Sequence, residues 1–224
     1  MEAWAVVVAG GAGTRFGQAK QWALLGGRAV VDWAVEAASL ACTGVVVVVP
    51  PDSVDRACPG ADVVVAGGAT RSASVRAGLA AVPLSADVIV VHDAARPLAR
   101  PALFTAVLDA VAAGAGAAIC AIPVTDTVKR VIDGVVHETL DRTSLVAVQT
   151  PQAFVASLLR RAHAGERGAT DDAALVESLG ERVVVVAGDP VNRKLTGPMD
   201  LVVAEAALAA GALLTPQGAA RGRP

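Results

Sequence analysis

The chain has 224 residues, 54% of them hydrophobic, and its 19 basic and 21 acidic side chains leave a formal net charge of −2. That is enough apolar material for one α/β domain with a sizeable core, and the balanced charge excludes the broad basic footprint of a nucleic-acid binder. An aromatic content of 3% with no tyrosine removes stacking platforms for bases, and no apolar run reaches the roughly 18 residues of a membrane span.

Taken in chain order, short β-branched runs fall at 5–8, 45–49, 62–65, 88–91, 117–122 and 182–186. They are continuous rather than alternating, the pattern of strands buried on both faces of a parallel sheet. Helical patterns fall between and after them, at 30–40, 72–81, 101–113, 154–164, 171–179 and 198–210, with Pro101 and Pro198 suited to a first helical turn. This alternation predicts an α/β, Rossmann-like, mostly parallel sheet with helices on both faces and a ligand crevice at the carboxyl ends of its strands.

One stretch breaks the rhythm. In "DTVKRVIDGVVHETLDRTSLVAVQTPQ", 126–152, Asp133-Gly134 separates two β-prone runs, which is a hairpin signal. Residues 128–150 read as a β-arm leaving the sheet, and a two-stranded ribbon needs something to pack on, so the arm is expected to make a homodimer. Residues 1–212 form a single domain in this reading, and 213–224, rich in Gly, Pro, Ala and Arg without periodicity, are expected to be a disordered tail. Cys42, Cys58 and Cys120 are odd in number and widely spaced, as reduced core thiols would be. Met1-Glu2 opens without a basic targeting segment, so a cytoplasmic protein without membrane or nucleic-acid partners is expected.

The first strand runs into "AGGAGTRFGQAKQ", 9–21. A dinucleotide fingerprint needs G-x-G-x-x-G, but Gly11, Gly13 and Gly17 are one residue too widely spaced, and Asp52 lies too far on to serve as its ribose acid. A P-loop needs Gly-Lys followed by a hydroxyl, whereas Gln18 follows Gly17 and Gln21 follows Lys20. What remains is a turn of small residues whose N–H groups can wrap phosphates, with Arg15 and Lys20 adding full charges. The bland alternative is a surface turn with two solvated cations.

Six further motifs decide between these: "GGATRSASVRAGL" (67–79), "VHDAARP" (91–97), "PVTDTVKR" (123–130), "LDRTSLVAVQTPQAF" (140–154), "TDDA" (170–173) and "GDPVNRKLTGPMDL" (188–201). With the glycine loop they resemble, in order and over the chain to about residue 210, the 2-C-methyl-D-erythritol 4-phosphate cytidylyltransferase (IspD) family of the nucleotidyltransferase-like fold. The resemblance implies transfer of a cytidylyl group from CTP to 2-C-methyl-D-erythritol 4-phosphate in non-mevalonate isoprenoid synthesis, with pyrophosphate leaving and Mg²⁺ as cofactor. The matching positions make Arg15 and Lys20 catalytic. Ala9, Gly10, Gly11, Gly13, Thr14, Gly67, Gly68, Ser74, Asp93 and Ala94 bind the nucleotide, and Asp93 holds the metal. Arg142, Lys194, Thr127 and Thr170 position the acceptor, Arg142 reaching the neighbouring subunit from the arm.

Each residue also has a plainer reading. Asp93 could cap a turn, Arg142 could be a solvated surface arginine, His92 reads as a packed histidine, and Asp171 and Asp172 could cap the helix that follows them. The sequence departs from the family pattern at Ala69, where an acid is common, and in the short gap "FGQA" before Lys20. A ribitol-5-phosphate or other polyol-phosphate cytidylyltransferase shares several of these motifs. A non-catalytic nucleotide-binding module is the third reading, and it would need fewer cations.

Overall fold

A computed structural model describes residues 1–11, 19–165, 169 and 171–211. The valine runs form the middle of a seven-stranded sheet: β1 (Ala3–Val8), β4 (Gly44–Val49), β5 (Val63–Ala66), β6 (Val88–Asp93), β7 (Ala117–Pro123), β10 (Val146–Val155) and β11 (Val183–Ala187). Their spatial order is β11-β7-β10-β6-β1-β4-β5. Of the six neighbouring pairs in the sheet four are parallel, and the other two are those of β10, which runs antiparallel to both β6 and β7. The mostly parallel α/β sheet is therefore as expected.

Helices α1 (Val30–Ser39) and α3 (Pro101–Ala112) cover one face, and α2 (Arg71–Ala81), α4 (Ala156–Ala162) and α5 (Asp172–Glu177) cover the other. Ala5 and Val7 of β1 point into the first layer and Val6 into the second, so one uninterrupted apolar strand feeds two cores. A third cluster joins Leu25, Val30, Leu98, Leu195 and Ala204. It seats the small hairpin β2 (Leu24–Leu25) and β3 (Arg28–Ala29) and helix α6 (Pro198–Ala209) beside the sheet. Among the described residues no helix is long and apolar enough to cross a membrane. All three cysteines are free, with Cys58 and Cys120 buried and Cys42 half-buried, and burial pushes the Cys42 and Cys120 thiols up to about 12.

Three local expectations change. Strands β5 and β11 are sheet edges, so burial on both faces fails there; Val184 and Val185 are exposed. The helix expected at 154–164 begins only at Ala156, because Phe154 and Val155 pair with Ile89 and Val88 as the end of β10. The arm is shorter than 128–150. The ribbon is β8 (Lys129–Ile132) with β9 (Val135–Thr139), a turn follows at Arg142–Ser144, and Val146 to Val148 already pair with β7. Its tip is the Asp133-Gly134 turn read from sequence, with φ of 49° and 78°, the left-handed pair that closes a two-residue hairpin. The expected tail at 213–224 lies outside the described residues.

Candidate active site

The carboxyl ends of β1, β5 and β6 open into a cavity of about 500 Å³. Its floor is built by loops that stay bonded to the neighbouring strand after their own strand ends: Ala9 N–H donates to the Val48 carbonyl (2.7 Å), Gly67 N–H to Val49 (2.7 Å) and Ala94 N–H to Val8 (3.0 Å). Ser74, in the first turns of α2, pins this floor. Its hydroxyl lies 3.0 Å from the Thr70 carbonyl and accepts the Gly68 N–H at 3.2 Å. A Cβ on Gly67 would stand 2.8 Å from that oxygen and one on Gly10 3.1 Å, which explains glycine at both positions. Ser74 is buried and its hydroxyl is engaged by its own loop, so it shapes the cavity wall rather than presenting a free group.

Ala9, Gly10, Gly11, Gly68, Ser74, Asp93 and Ala94, all read from sequence as nucleotide contacts, line this cavity together with Lys20 and Lys194. Lys20 sits in a short 3-10 turn, and its Nζ donates to the Leu195 carbonyl at 3.1 Å, while Leu195 N–H donates to Ala95 at 2.7 Å. The glycine-loop lysine, the loop after β6 and the loop carrying Lys194 are thereby tied together. Gly13, Thr14, Arg15 and Thr170 lie outside the described residues. Thr127 and Arg142 do not join the cavity of their own chain: both are exposed at the arm, where the Arg142 guanidinium donates to the Thr125 carbonyl.

Asp93 ends β6 with its carboxylate between two cations. Arg71 Nε donates to Oδ1 at 3.1 Å and Lys194 Nζ to Oδ2 at 2.6 Å. Burial pushes this carboxyl up, but Arg71 and Lys194 outweigh it and hold it well below the usual carboxylate range. Arg71 also reaches Asp172 through Nη1 at 2.8 Å, and the two carboxylates hold its charge against the effect of burial. A second cavity of about 430 Å³ shares Arg71, Asp93 and Lys194 with the first and continues over Thr150, Gln152 and Asp171.

Beneath these charges lies a buried polar layer that sequence reasoning did not find. Strand β10 shifts register between Val148 and Gln152, and the intervening Gln149 and Thr150 turn polar side chains inward ahead of Pro151. Gln149 clasps the backbone of Asp189, donating to its carbonyl at 2.9 Å and accepting its N–H at 3.1 Å. Asn192 donates to Gln149 and to the Thr150 carbonyl, and Arg96 holds the carbonyls of Asn192 and Val148. This is the frame that fixes the loop carrying Lys194. Thr150 Oγ1 accepts the Asp93 N–H, so its own proton goes to His92 Nδ1, and His92 Nε2–H faces the Arg96 carbonyl. His92 is thus neutral and packed, as read from sequence, and burial pushes its pKa down to about 4. Of the aspartate pair, only Asp171 caps α5, by accepting the Ala174 N–H at 3.0 Å. Asp172 is buried and ion-paired. One signal for Arg71 was present in the sequence, since a cation in a helix's first turn opposes the helix dipole and calls for a reason.

A glycine-floored cavity lined by Lys20, with Arg71 and Lys194 on one carboxylate where it opens onto a second cavity, suits two phosphorylated substrates meeting. Comparison with known proteins agrees. The family model "IspD: 2-C-methyl-D-erythritol 4-phosphate cytidylyltransferase" matches residues 3–210. The chain belongs to this family. It is 48% identical over 217 residues to the 2-C-methyl-D-erythritol 4-phosphate cytidylyltransferase of Rhodococcus jostii, covering 93% of this chain and 96% of that protein. The Nocardia farcinica enzyme of the same name is 49% identical over 216 residues, covering 91% and 93%. The crystal structure of the Thermus thermophilus enzyme superposes with a TM-score of 0.80 at 36% identity, covering 91% of this chain and 98% of that one. The chain is accordingly an enzyme, a nucleotidyltransferase.

Proposed function

We propose a division of labour among these residues for the reaction of the IspD family, transfer of a cytidylyl group from CTP to 2-C-methyl-D-erythritol 4-phosphate, which this chain carries out. A phosphate oxygen of the acceptor attacks the α-phosphorus of CTP, and the bond to the β-phosphate breaks, so pyrophosphate leaves. Two polyanions must meet, and the rate depends on holding them in line and balancing the charge that builds between them.

The observation that carries this reading is the hold of Arg71 and Lys194 on Asp93 where the two cavities join, with Lys20 lining the first cavity beside them. The first cavity receives CTP, with its cytosine toward Gly67 to Thr70 and its phosphates toward Gly10, Gly11 and Lys20. Arg15, adjoining this loop in sequence, shares the triphosphate charge with Lys20. The second cavity receives the acceptor, whose phosphate meets Lys194 at the junction, and Thr170, next to Asp171 in sequence, shares in positioning it. Thr127 and Arg142 act on the acceptor of a partner subunit, which fits their exposure on the arm.

Among the described residues no group of three or more His, Cys, Asp or Glu side chains could hold a metal ion. Mg²⁺ needs no such cage, because one or two carboxylates with substrate phosphates and water suffice. Asp93 supplies one hard oxygen ligand at the right place, exchanging part of its pairing with Lys194 or Arg71. When bound, Mg²⁺ neutralises charge on the triphosphate. Three free thiols agree with a reducing compartment such as the cytoplasm.

Pyrophosphate release measured with CTP and a panel of polyol phosphates tests the substrate reading. Turnover with 2-C-methyl-D-erythritol 4-phosphate is expected; turnover confined to ribitol 5-phosphate would reject it. Lys20→Ala should lower kcat about a hundredfold or more, the usual loss when a charge aimed at a transition state is removed. Near-normal turnover in the folded variant would remove Lys20 from the catalytic group.

A further inference from the structure

Behind the site a chain of hydrogen-bonded polar side chains runs from α2 through α5 to the end of α4. Asp172, the first residue of α5, receives Arg71 Nη1 on Oδ2 at 2.8 Å and His163 Nε2 on Oδ1 at 2.9 Å. The Asp172 and His163 side chains are 1% and 2% exposed, so neither meets substrate or bulk water. Because His163 Nε2–H donates to the Asp172 carboxylate, the imidazole is fixed in orientation at the end of α4, and its Nδ1 has no partner among the described residues.

Stability is a poor explanation for this arrangement. A buried ion pair seldom outperforms an apolar pair of the same volume, since desolvation offsets the attraction. Arg71 is moreover the first residue of α2, where its cation opposes the helix dipole. What the arrangement achieves is orientation. With Nη1 held by Asp172 and Nε on Asp93, the guanidinium plane is fixed at two points, and Nη2 makes no hydrogen bond among the described residues. Arg71 lines both cavities. A planar, fixed guanidinium with a spare N–H edge at the meeting point of two phosphate sites is suited to grip a phosphate oxygen on either side.

We propose that Arg71 is a further substrate-positioning residue, and that Asp172 and His163 act through it, aiming its free edge at the phosphates where the two cavities join. This rests on the cytidylyl-transfer reading above. Arg71 works as one arm of a clamp, and the buried pair behind it sets the angle of that arm.

A double-mutant cycle tests this. Asp172→Asn should lower kcat/KM for the acceptor about tenfold, the scale of loss expected when a reacting phosphate is slightly misplaced. In an Arg71→Met background, the same Asp172 change should cost no more than about twofold, because two residues that act as one unit are not additive. His163→Leu should reproduce the Asp172→Asn loss, and His163→Gln, whose side-chain N–H can still donate to Asp172, should recover most of it. If Asp172→Asn does not fold, as thermal unfolding would show, the His163 pair runs the same cycle against Arg71→Met. Equal losses with and without Arg71, or full activity in folded Asp172→Asn and His163→Leu, would overturn the proposal. Calorimetric CTP affinity provides the same cycle without turnover. Failure of the acceptor assignment and failure of the positioning role are therefore told apart.

Discussion

Asp93 and His92 are adjacent residues of one strand whose ionisations are set in opposite ways. Asp93 stays charged because two cations face it, whereas His92 stays neutral because it is buried against Phe104 and bonded on both ring nitrogens. The histidine titrates near 6.5 when unfolded and at about 4 when folded. Between those values the unfolded chain binds a proton that the folded chain refuses. His92 should therefore contribute full stability above about pH 6.5 and lose on the order of 3 kcal/mol as the pH falls toward 4. Asp93 adds to the loss only below the ordinary carboxylate range. Unfolding free energies of the native chain and His92→Gln across this window check the point: the slope should flatten in the variant, and an unchanged slope would assign it to other groups. The motif "VHDAARP" made Asp93 legible in the sequence, and the neighbourhood made His92 a packed residue. The cations on Asp93 were less visible, because Lys194 lies 101 residues away and Arg71 acquires its meaning only through Asp172, itself 101 residues from it.

At the scale of elements, α2 carries Arg71 and Ser74 into the site and depends on close approach to the sheet. A Cβ on Gly78 would lie 2.4 Å from Val6 Cγ1 and 2.9 Å from Val48 Cγ2, so nothing larger than glycine fits without a shift. Gly78→Ala should cost about 1–3 kcal/mol by overpacking and displace α2 enough to weaken CTP binding as well. Unchanged thermal stability in this variant would show that α2 has room to move. The parallel strands and most helices were legible because valine runs and helical periods are local signals. Strand β10 was not, because Gln149, Thr150 and Pro151 interrupt it with polar groups and a missing N–H. Those residues are interruptions only in the ladder. In three dimensions they are the bulge that bonds the Asp189 to Asn192 loop and places Lys194.

For the whole molecule, the arm is the feature the single chain leaves unexplained. Val131, Ile132, Val135 and Val136 are all more than half exposed on a two-stranded ribbon, which has no core of its own. A homodimer through this ribbon would cover them and bring Arg142 to a partner's second cavity. Sedimentation should show a dimer for the native chain and a monomer for Val135→Glu with Val136→Glu; a dimer that survives both changes would place the interface elsewhere. If sites are shared, mixing inactive Lys20→Ala and Arg142→Ala chains should restore on the order of a quarter of native turnover, from mixed dimers with one intact site. No recovery after confirmed exchange would confine Arg142 to its own subunit.

The antiparallel course of β10 also sets the order in which the molecule can be completed. As β10 separates β6 from β7, strands β5, β4, β1 and β6 can assemble from the first 93 residues, but β7 and β11 find their places only after residue 155 has left the ribosome. The glycine floor, Arg71 and Asp93 belong to the early part, and Asp172 and Lys194 to the late part. A stalled or truncated chain would thus display the glycine floor with neither Lys194 on Asp93 nor Asp172 behind Arg71, and this cluster of charges would be complete only once Lys194 had been made.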